Sequence, residues 1–566
     1  MASICSKPAI QTAITLFALS TCCACGRLDV ELYPNAGQPP MPSGGAGGQP
    51  SQPTERCNSV VPAGLVVARP VMGWNGWNAF GCSSALNEQK VRESADVLIA
   101  SGMRAVGYRY VDLDDCWELP RGETEEIRID PAKLPSGMAA LGAHLHDNGF
   151  QFGYFRRAGD CVGTPANRQT EDANTYASWG IDLLKFVACK DAVDDEADVQ
   201  LMATALRESG RPVVLSLAVS PFSDWQPNVA QHFRTGKIIS PTWASILANL
   251  DANAKFAAYA RPGAFNDPDM LEVGNGTLSE SEQRSHFSLW SILSAPLLAG
   301  HDLTTMTETT RGILTNPEVI ALDQDPIGLQ GALVRDEGAL QIFAKPLEGC
   351  GARGVVLLNR GDTAVSTSLS WSEIWLAPGS ARARDLWARQ ELGPTDEALT
   401  VTVQPHDVLT LRVVGVEPPG PAGELALSDL SWTYASNGYG PVERDTSNGE
   451  QAPADGLALQ IGDQVYERGL GVHAPSLVRF RLGGVCSRFQ ARVGIDEEVG
   501  NQGSVTFQVW SDGEKLFDSG TLTGKSLPLP VDVSLQGRQD LRLFVGSNGD
   551  TSHDHADWAD ARLTCD

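Results

Sequence analysis

The chain has 566 residues and a formal net charge of −26, with 43 Lys and Arg against 69 Asp and Glu. An apolar fraction of 42% is that of a globular protein and excludes a mainly disordered chain. The acidic balance argues against a nucleic-acid partner, because phosphate binding needs a basic surface. The length predicts several domains.

The first 25 residues have the pattern of a bacterial signal peptide. Lys7 precedes a mostly apolar run over Ala9–Ser20, and cysteines follow at positions 22, 23 and 25. The run is too short for a membrane span. A cysteine directly after such a run is typical of a lipoprotein signal. We therefore expect export to the cell envelope or beyond, with membrane contact only through an N-terminal lipid anchor.

Residues 26–58 are rich in Gly, Pro and Ser, which predicts a flexible linker. Export permits disulfide bonds. Eight cysteines lie outside the signal, and the sequence alone does not decide how they pair: Cys57, Cys82, Cys116, Cys161, Cys189, Cys350, Cys486 and Cys565.

Residues 59–325 alternate between strand-like and helix-like segments. The strand candidates are VGYRYVDLD, FQFGYFRR, DLLKFVAC and PVVLSLAV, and the helix candidates include Glu88–Ala100, Asp198–Ser209 and Trp243–Ala260. Repeated strand–helix units over this length predict a (β/α)₈ TIM barrel.

The remainder reads as strands and turns. Residues 326–416 predict an antiparallel β-sandwich, residues 417–423 a linker, and residues 424–566 a second all-β domain. The chain is therefore predicted to be multidomain, with the β-rich domains after the barrel.

Four motifs stand in order along the barrel: Met72–Cys82 (MGWNGWNAFGC), Val111–Trp117 (VDLDDCW), Gly180–Cys189 (GIDLLKFVAC) and Pro262–Leu271 (PGAFNDPDML). Together they resemble glycoside hydrolase family 27, the α-galactosidase and α-N-acetylgalactosaminidase family, over about residues 64–415. The resemblance implies retaining hydrolysis of an α-galactoside, in which one carboxylate attacks the sugar and a second, about 5 Å away, protonates the leaving oxygen.

Both catalytic carboxylates are replaced in this sequence. The family nucleophile is the Asp of a Lys-Tyr/Phe-Asp-x-Cys strand, and that position holds Val187, between Lys185 and Cys189. The family acid/base lies four residues after an Arg, and that position after Arg234 holds Ile238. Neither alkyl side chain can attack a sugar or move a proton.

Two further segments depart from the family pattern. Its Tyr-x-Asp on the third strand is Phe155–Arg157 here, and the Cys-Glu-Trp near the sugar's 2-position is Leu217–Val219. Strand alternation puts Arg157 on the face of Phe155. If Arg157 points inward, we expect it to pair with Asp112 or Asp114.

Other positions that bind or frame galactose in the family are kept: Trp77, Asp114, Asp115, Lys185, Arg234 and Asp269. Each has a structural alternative. Asp114 and Asp115 would satisfy loop backbone at a strand end, Lys185 would compensate Asp114, and Trp77 would pack in the barrel.

The resemblance also implies disulfides Cys82–Cys116 and Cys161–Cys189. Residues 424–566 resemble the carbohydrate-binding module, a galactose-binding-like jelly roll, that is appended to many glycoside hydrolases, through Asn437–Asp445, Gly469–Ala474 and Asp557–Ala561. Cys486 and Cys565 are expected to pair within it. Asp496–Glu498 is either a Ca²⁺ site or a solvated acidic turn.

Three functions remain open. The first is a glycan-binding pseudoenzyme on an α-galactosidase scaffold. The second is a glycosidase with rearranged carboxylates, among them Asp112, Asp114 or Asp269. The third is an ordinary α-galactosidase, which requires an Asp at the end of the fourth strand, where Asp191 is the nearest. We expect a galactoside-type glycan as partner and neither cofactor nor metal; the oligomeric state is open.

Overall fold

The computed structural model describes residues 57, 60–121, 126–157, 168–187, 195–218, 221–449 and 452–566. The predicted signal peptide and, apart from Cys57, the predicted linker lie outside these described residues. No helix within the described ranges is both long and apolar enough to cross a membrane.

Eight parallel strands form the first domain, in the order β8-β1-β2-β3-β4-β5-β6-β7. Leu271, shortly after β7, forms a parallel bridge with Ala299 of β8. This bridge closes the barrel. The predicted TIM barrel is confirmed. The strands are β1 Met72–Asn75, β2 Tyr110–Leu113, β3 Gln151–Arg157, β4 Leu183–Val187, β5 Val214–Leu217, β6 His232–Arg234, β7 Phe265–Asp267 and β8 Leu297–Ala299.

Helices alternate with these strands because their apolar residues recur at helical spacing. Over Glu88–Ala100 the buried apolar side chains are Val91, Ala95 and Leu98, which share one face of the helix. The Asn87 side chain caps this helix by accepting from Lys90 N. The helices are α1 Trp77–Phe80, α2 Glu88–Ala100, α3 Met138–Asp147, α4 Gln169–Trp179, α5 Asp195–Glu208, α6 Gln226–Val229, α7 Trp243–Ala254, α8 Glu280–Ile292, α9 Glu308–Leu314 and α10 Pro317–Asp323.

The second domain is the predicted antiparallel sandwich. A six-stranded sheet has the order β9-β10-β11-β16-β13-β14, and β12 pairs with β15. Its strands are β9 Ala332–Asp336, β10 Leu340–Pro346, β11 Ala352–Asn359, β12 Val365–Ser370, β13 Ala377–Asp385, β14 Gln390–Asp396, β15 Ala398–Val403 and β16 Val408–Val416.

Strand β11 shows how the sandwich joins the barrel. Its apolar run is buried on both faces: Val355 and Leu357 belong to the sandwich core, whereas Val356 and Leu358 belong to the barrel core. Side chains on a strand alternate between faces, so an unbroken apolar run fits a strand between two cores.

The third domain consists mainly of two antiparallel sheets, with orders β19-β22-β29-β24-β27 and β18-β23-β28-β25-β26, and β17 adds to β29. The predicted β-rich fold is confirmed. The strands are β17 Glu424–Ala426, β18 Tyr434–Ser436, β19 Glu443–Arg444, β20 Leu459–Ile461, β21 Gln464–Tyr466, β22 Gly469–His473, β23 Ser476–Arg481, β24 Cys486–Ile495, β25 Ser504–Ser511, β26 Glu514–Thr523, β27 Leu529–Ser534, β28 Asp540–Ser547 and β29 His555–Cys565.

Disulfide bonds link Cys82 to Cys116 and Cys486 to Cys565, the two described pairs that the sequence analysis expected. A third bond joins Cys57 to Cys350, a pairing that the sequence left open. It ties the start of the described chain to the sandwich. The expected Cys161–Cys189 pair lies outside the described residues.

Tyr434 joins the third domain to the sandwich. Its ring centroid lies 5.2 Å from that of Trp375, and its hydroxyl donates to Gln330 O at 2.9 Å. Both aromatic side chains are buried, Tyr434 fully. The third domain is therefore packed against the sandwich through an apolar contact.

We expect Tyr434→Ala to lower the free energy of unfolding by about 3 kcal/mol, because it leaves a cavity at this contact. Differential scanning calorimetry is the measurement, with Tyr439→Ala as a control at an exposed tyrosine of the same domain. If both variants melt like the wild type, Tyr434 does not hold the domains together.

Candidate active site

Side chains from three barrel strands meet in one hydrogen-bond network. Asn75, the last residue of β1, donates through Nδ2 to Asp112 Oδ2 at 2.7 Å and to Asp114 Oδ2 at 2.8 Å. Its Oδ1 accepts from Trp77 N at 2.9 Å. Lys185 on β4 donates to the same Asp114 Oδ2 at 2.6 Å. Parallel strands present their carboxyl ends on one side of a barrel, where active sites form.

The Asp114–Lys185 pair is a buried ion pair. Burial by itself would raise the pKa of Asp114, but the Lys185 ammonium and the hydrogen bonds from Lys185 and Asn75 outweigh it and lower that pKa. Burial opposes the charge on Lys185 as well, yet the facing carboxylate raises the pKa of its ammonium. Both groups are therefore held charged at neutral pH.

Asp112 is in the opposite situation. Burial, with the nearby Asp114 charge, raises the pKa of Asp112 to about 7. Its Oδ1 has no hydrogen-bond partner among the described residues, and it faces Gly153, where an added Cβ would lie 2.6 Å away. Gly153 is thus the residue that lets this carboxyl fit, and Asp112 is poised to hold a proton near neutral pH.

A second ion pair, Arg234 with Asp269, lies beside the first. The guanidinium contacts the two Asp269 oxygens at 2.9 and 3.0 Å, and both side chains are buried. Asp269 also accepts from Ile239 N at 2.9 Å, and its backbone has φ 80°. Asp269 and Asp114 both act on Lys185 electrostatically, which places these charges in one network.

Arg157 does not point inward, so the condition for its pairing with Asp112 or Asp114 is not met. Arg157 ends β3 and contacts Asp115 Oδ2 at 2.6 Å, with almost half of its side chain exposed. The physical reason is that Lys185 already compensates Asp114. Asp115 is therefore held by an arginine at the surface and is not part of the buried network.

Trp77, the first residue of α1, is half-buried. It packs against a buried cluster that includes Leu183 and Met270, so its packing alternative has a physical basis. Four of the retained residues thus form two ion pairs, Asp115 pairs with the non-retained Arg157, and Trp77 packs against an apolar cluster.

The two replaced positions differ in environment. Val187 is the last residue of β4 and is half-buried, in register with Arg157 of β3. Ile238 lies between β6 and α7 and is 75% exposed. An exposed branched alkyl side chain gains nothing from packing there. Asp191 lies outside the described residues.

Two polar groups near these strand ends are absent from the predicted site residues. Asn75 stands inside the first motif, and its role depends on three strands meeting. Glu272 is buried and accepts from Asn78 Nδ2 at 2.9 Å and Asn275 Nδ2 at 2.6 Å. Burial raises the pKa of Glu272 to about 7. The sequence signal that could have identified Glu272 is its place directly after the fourth motif.

In the third domain, the acidic segment is engaged by protein donors. Asp496 is buried and accepts from Gln460 N at 3.0 Å, and Glu498 contacts His555 Nδ1 at 2.5 Å. Among the described residues no group of three or more His, Cys, Asp or Glu side chains is arranged to hold a metal ion.

Family comparisons agree with this architecture. Residues 69–325 match the family described as Alpha galactosidase A, and residues 337–413 match the Alpha galactosidase C-terminal beta sandwich domain. Residues 423–564 match the NPCBM/NEW2 domain.

Similar proteins from other organisms are named alpha-galactosidases. Alpha-galactosidase A of Cellvibrio japonicus is 39% identical over 375 residues, which is 61% of this chain and 91% of that protein. Alpha-galactosidase 2 of Arabidopsis thaliana is 39% identical over 348 residues, 60% of this chain and 87% of that protein.

Solved structures share the barrel and sandwich. Alpha-galactosidase I from Mortierella vinacea has a TM-score of 0.59 at 30% identity, covering 62% of this chain and 98% of that chain. The Saccharomyces cerevisiae alpha-galactosidase with raffinose has a TM-score of 0.56 at 26% identity, covering 61% of this chain and 97% of that chain. This chain therefore belongs to the alpha-galactosidase family, glycoside hydrolase family 27, and carries an additional carbohydrate-binding domain at its C-terminal end.

Proposed function

We propose that this protein is an exported glycan-binding pseudoenzyme that recognises galacto-configured glycans and does not hydrolyse them by the retaining mechanism. The single observation that carries the proposal is Val187 at the end of β4, where the resemblance requires the nucleophile. A covalent glycosyl intermediate needs a carboxylate at that point, and an isopropyl group cannot form one.

The proposal is supported by the state of the second position. Ile238 is exposed and carries no titratable group, so it cannot protonate a leaving oxygen. Loss of the nucleophile abolishes the covalent route, and loss of the acid/base alone lowers the rate by about 10²–10⁴-fold.

Binding is supported by the charges that remain. Asp114 with Lys185, and Arg234 with Asp269, are buried, paired and fixed at the strand ends. The carboxylates can accept hydrogen bonds from sugar hydroxyls, and the ammonium and guanidinium can donate to them. Because these groups are already fixed, little conformational freedom is lost on binding. Their retention separates recognition from the chemistry that Val187 and Ile238 no longer supply.

Asp112 favours a second candidate, a glycosidase with rearranged carboxylates. Its pKa of about 7 suits a general acid at neutral pH. However, Asp112 is only 1% exposed, because it is enclosed by Asn75 and Gly153. This burial favours a structural role over contact with a substrate. The glycan-binding proposal is therefore preferred.

Hydrolysis of a nitrophenyl α-galactoside separates the two candidates. We expect the wild type to stay at the uncatalysed rate, whereas Val187→Asp/Ile238→Asp gains at least about 100-fold, because one acid/base group alone is worth about 10²–10⁴-fold. The matched control is Val187→Asn/Ile238→Asp, which has nearly the same shape but no nucleophile and is expected to stay inactive. Turnover by the wild type that Asp112→Asn abolishes would contradict the pseudoenzyme proposal.

Binding of raffinose tests the barrel site. Lys185→Met/Asp114→Asn removes both charges of the buried pair, so neither is left unpaired. We expect the dissociation constant to rise at least about tenfold, equivalent to about 1.4 kcal/mol, in isothermal titration calorimetry. The control is Arg284→Met/Asp407→Asn, an ion pair of 2.9 Å outside the site. Equal affinity in both double variants would show that the barrel pair does not contact the sugar.

The pKa of Asp112 predicts a pH-dependent stability. An ordinary Asp ionises near pH 4, so the folded state binds one more proton than the unfolded state between about pH 4 and pH 7. Stability from this group therefore falls as pH rises through that window. We expect Asp112→Asn to match the wild type at pH 4 and to be more stable by about 4 kcal/mol at pH 8, since each pKa unit corresponds to about 1.4 kcal/mol. Thermal melts at both pH values check this, with the exposed Asp96→Asn as control; a gain that is the same at both would contradict it.

A further inference from the structure

A small cavity lies where the third domain meets the barrel, away from the barrel mouth. Its volume is about 140 Å³, and it is lined by the barrel segment 258–262 and by side chains of β23, β25 and β28. This segment precedes β7, so it lies at the amino ends of the barrel strands, opposite the ends that carry Asp114 and Lys185. The space equals that of about four or five water molecules in the liquid, which suits a small ion or molecule.

One face of the sheet β18-β23-β28-β25-β26 forms the floor of the cavity. Arg542 on β28 is in register with Arg479 on β23 and with Trp510 on β25. Phe544, two residues further along β28, points to the same face, and its ring centroid lies 5.2 Å from that of Tyr259 in the barrel. Because the barrel covers this face, Arg542 is only 7% exposed.

Arg542 has hydrogen-bond donors without acceptors. Asp540 Oδ2 accepts from Arg542 Nε at 2.9 Å and from Arg479 Nε at 3.1 Å, whereas Asp540 Oδ1 accepts from Asp512 N at 2.8 Å. One carboxylate therefore serves two arginines that stand opposite each other on neighbouring strands, where like charges repel. Arg542 lines the cavity, and its two Nη atoms donate to no residue that the structure describes.

Arg261 brings a second guanidinium to the same cavity. It forms no ion pair with any described residue, and its hydrogen bonds of 2.7 to 3.3 Å go to uncharged acceptors, which are Pro227 O, Asn228 Oδ1 and Tyr259 O. Its guanidinium carbon lies 5.2 Å from the ring centroid of Trp510, which positions it. Burial and the nearby charge of Arg542 lower the pKa of Arg261 to about 10. Arg261 is therefore still charged at neutral pH, and it lacks a carboxylate partner.

Two incompletely compensated cations on the wall of one cavity are unexpected in a chain with a net charge of −26. A guanidinium matches the two oxygens of a carboxylate through paired hydrogen bonds. The rest of the lining is mainly apolar, with Leu65, Pro262, Leu477 and Phe544. This surface favours an anion with an apolar body over a strongly hydrated phosphate.

We propose that the cavity binds a small organic carboxylate. Its charged group is bound by Arg542, with Arg261 adding to the attraction, and its apolar part contacts Leu477 and Phe544. The site requires both the barrel and the third domain, and it is independent of galactoside recognition at the barrel mouth.

The experiment is isothermal titration calorimetry of the full chain with sodium benzoate, and with inorganic phosphate as the comparison anion. Arg542→Gln removes one cation, whereas Ala260→Leu fills the cavity at a residue that is 2% exposed and leaves both arginines in place. The matched control is Arg488→Gln, which removes an exposed arginine of the same domain that pairs with Asp532 outside the cavity. Arg261→Lys, which keeps the charge but not the planar donor group, serves if either cavity variant fails to fold.

We expect benzoate to bind the wild type and Arg488→Gln with equal affinity. Arg542→Gln and Ala260→Leu are expected to raise the dissociation constant at least about tenfold, and phosphate is expected to bind more weakly than benzoate. Absence of benzoate binding by the wild type, or equal affinity in all variants, would overturn the proposal. Phosphate that binds as tightly as benzoate would overturn the assignment to an organic carboxylate.

Discussion

The buried ion pair between Lys185 and Asp114 is the interaction on which the barrel mouth depends. Taking either charge out of water alone would cost several kcal/mol, so each is tolerable only beside the other. Asn75 bonds the same Asp114 oxygen and ties the pair to Asp112. Three strand ends are thereby fixed in one arrangement, and Gly153 provides the space in which Asp112 fits.

This network does not involve Val187 or Ile238, the positions at which the family resemblance places the two catalytic carboxylates. Val187 lies beyond Lys185 on the same strand, and Ile238 lies on an exposed segment. Replacing an Asp at either position removes a charge that the paired groups do not need. The proposed separation of binding from hydrolysis therefore requires no change in this network.

Much of the fold could be predicted from the sequence, because α2 has apolar residues at helical spacing, the strands are short apolar runs between turns, and the four barrel motifs stand in order. The residues framing the barrel site were named in advance, and the structure brings Asp114 to Lys185 and Arg234 to Asp269. The ion-pair partner of Arg157 and the disulfide partner of Cys57 were harder to predict. Arg157 turns to Asp115 because Lys185 occupies Asp114, and the Cys57–Cys350 bond spans 293 residues.

The central claim is that the barrel recognises a galactoside without forming a covalent intermediate. A retaining glycosidase incubated with a fluorinated galactosyl fluoride accumulates a galactosyl ester on its nucleophile. Intact-mass spectrometry of this protein after the same incubation is the most direct test. An unchanged mass is the predicted result, while a single galactosyl adduct mapped to a carboxylate would contradict the claim and identify the nucleophile.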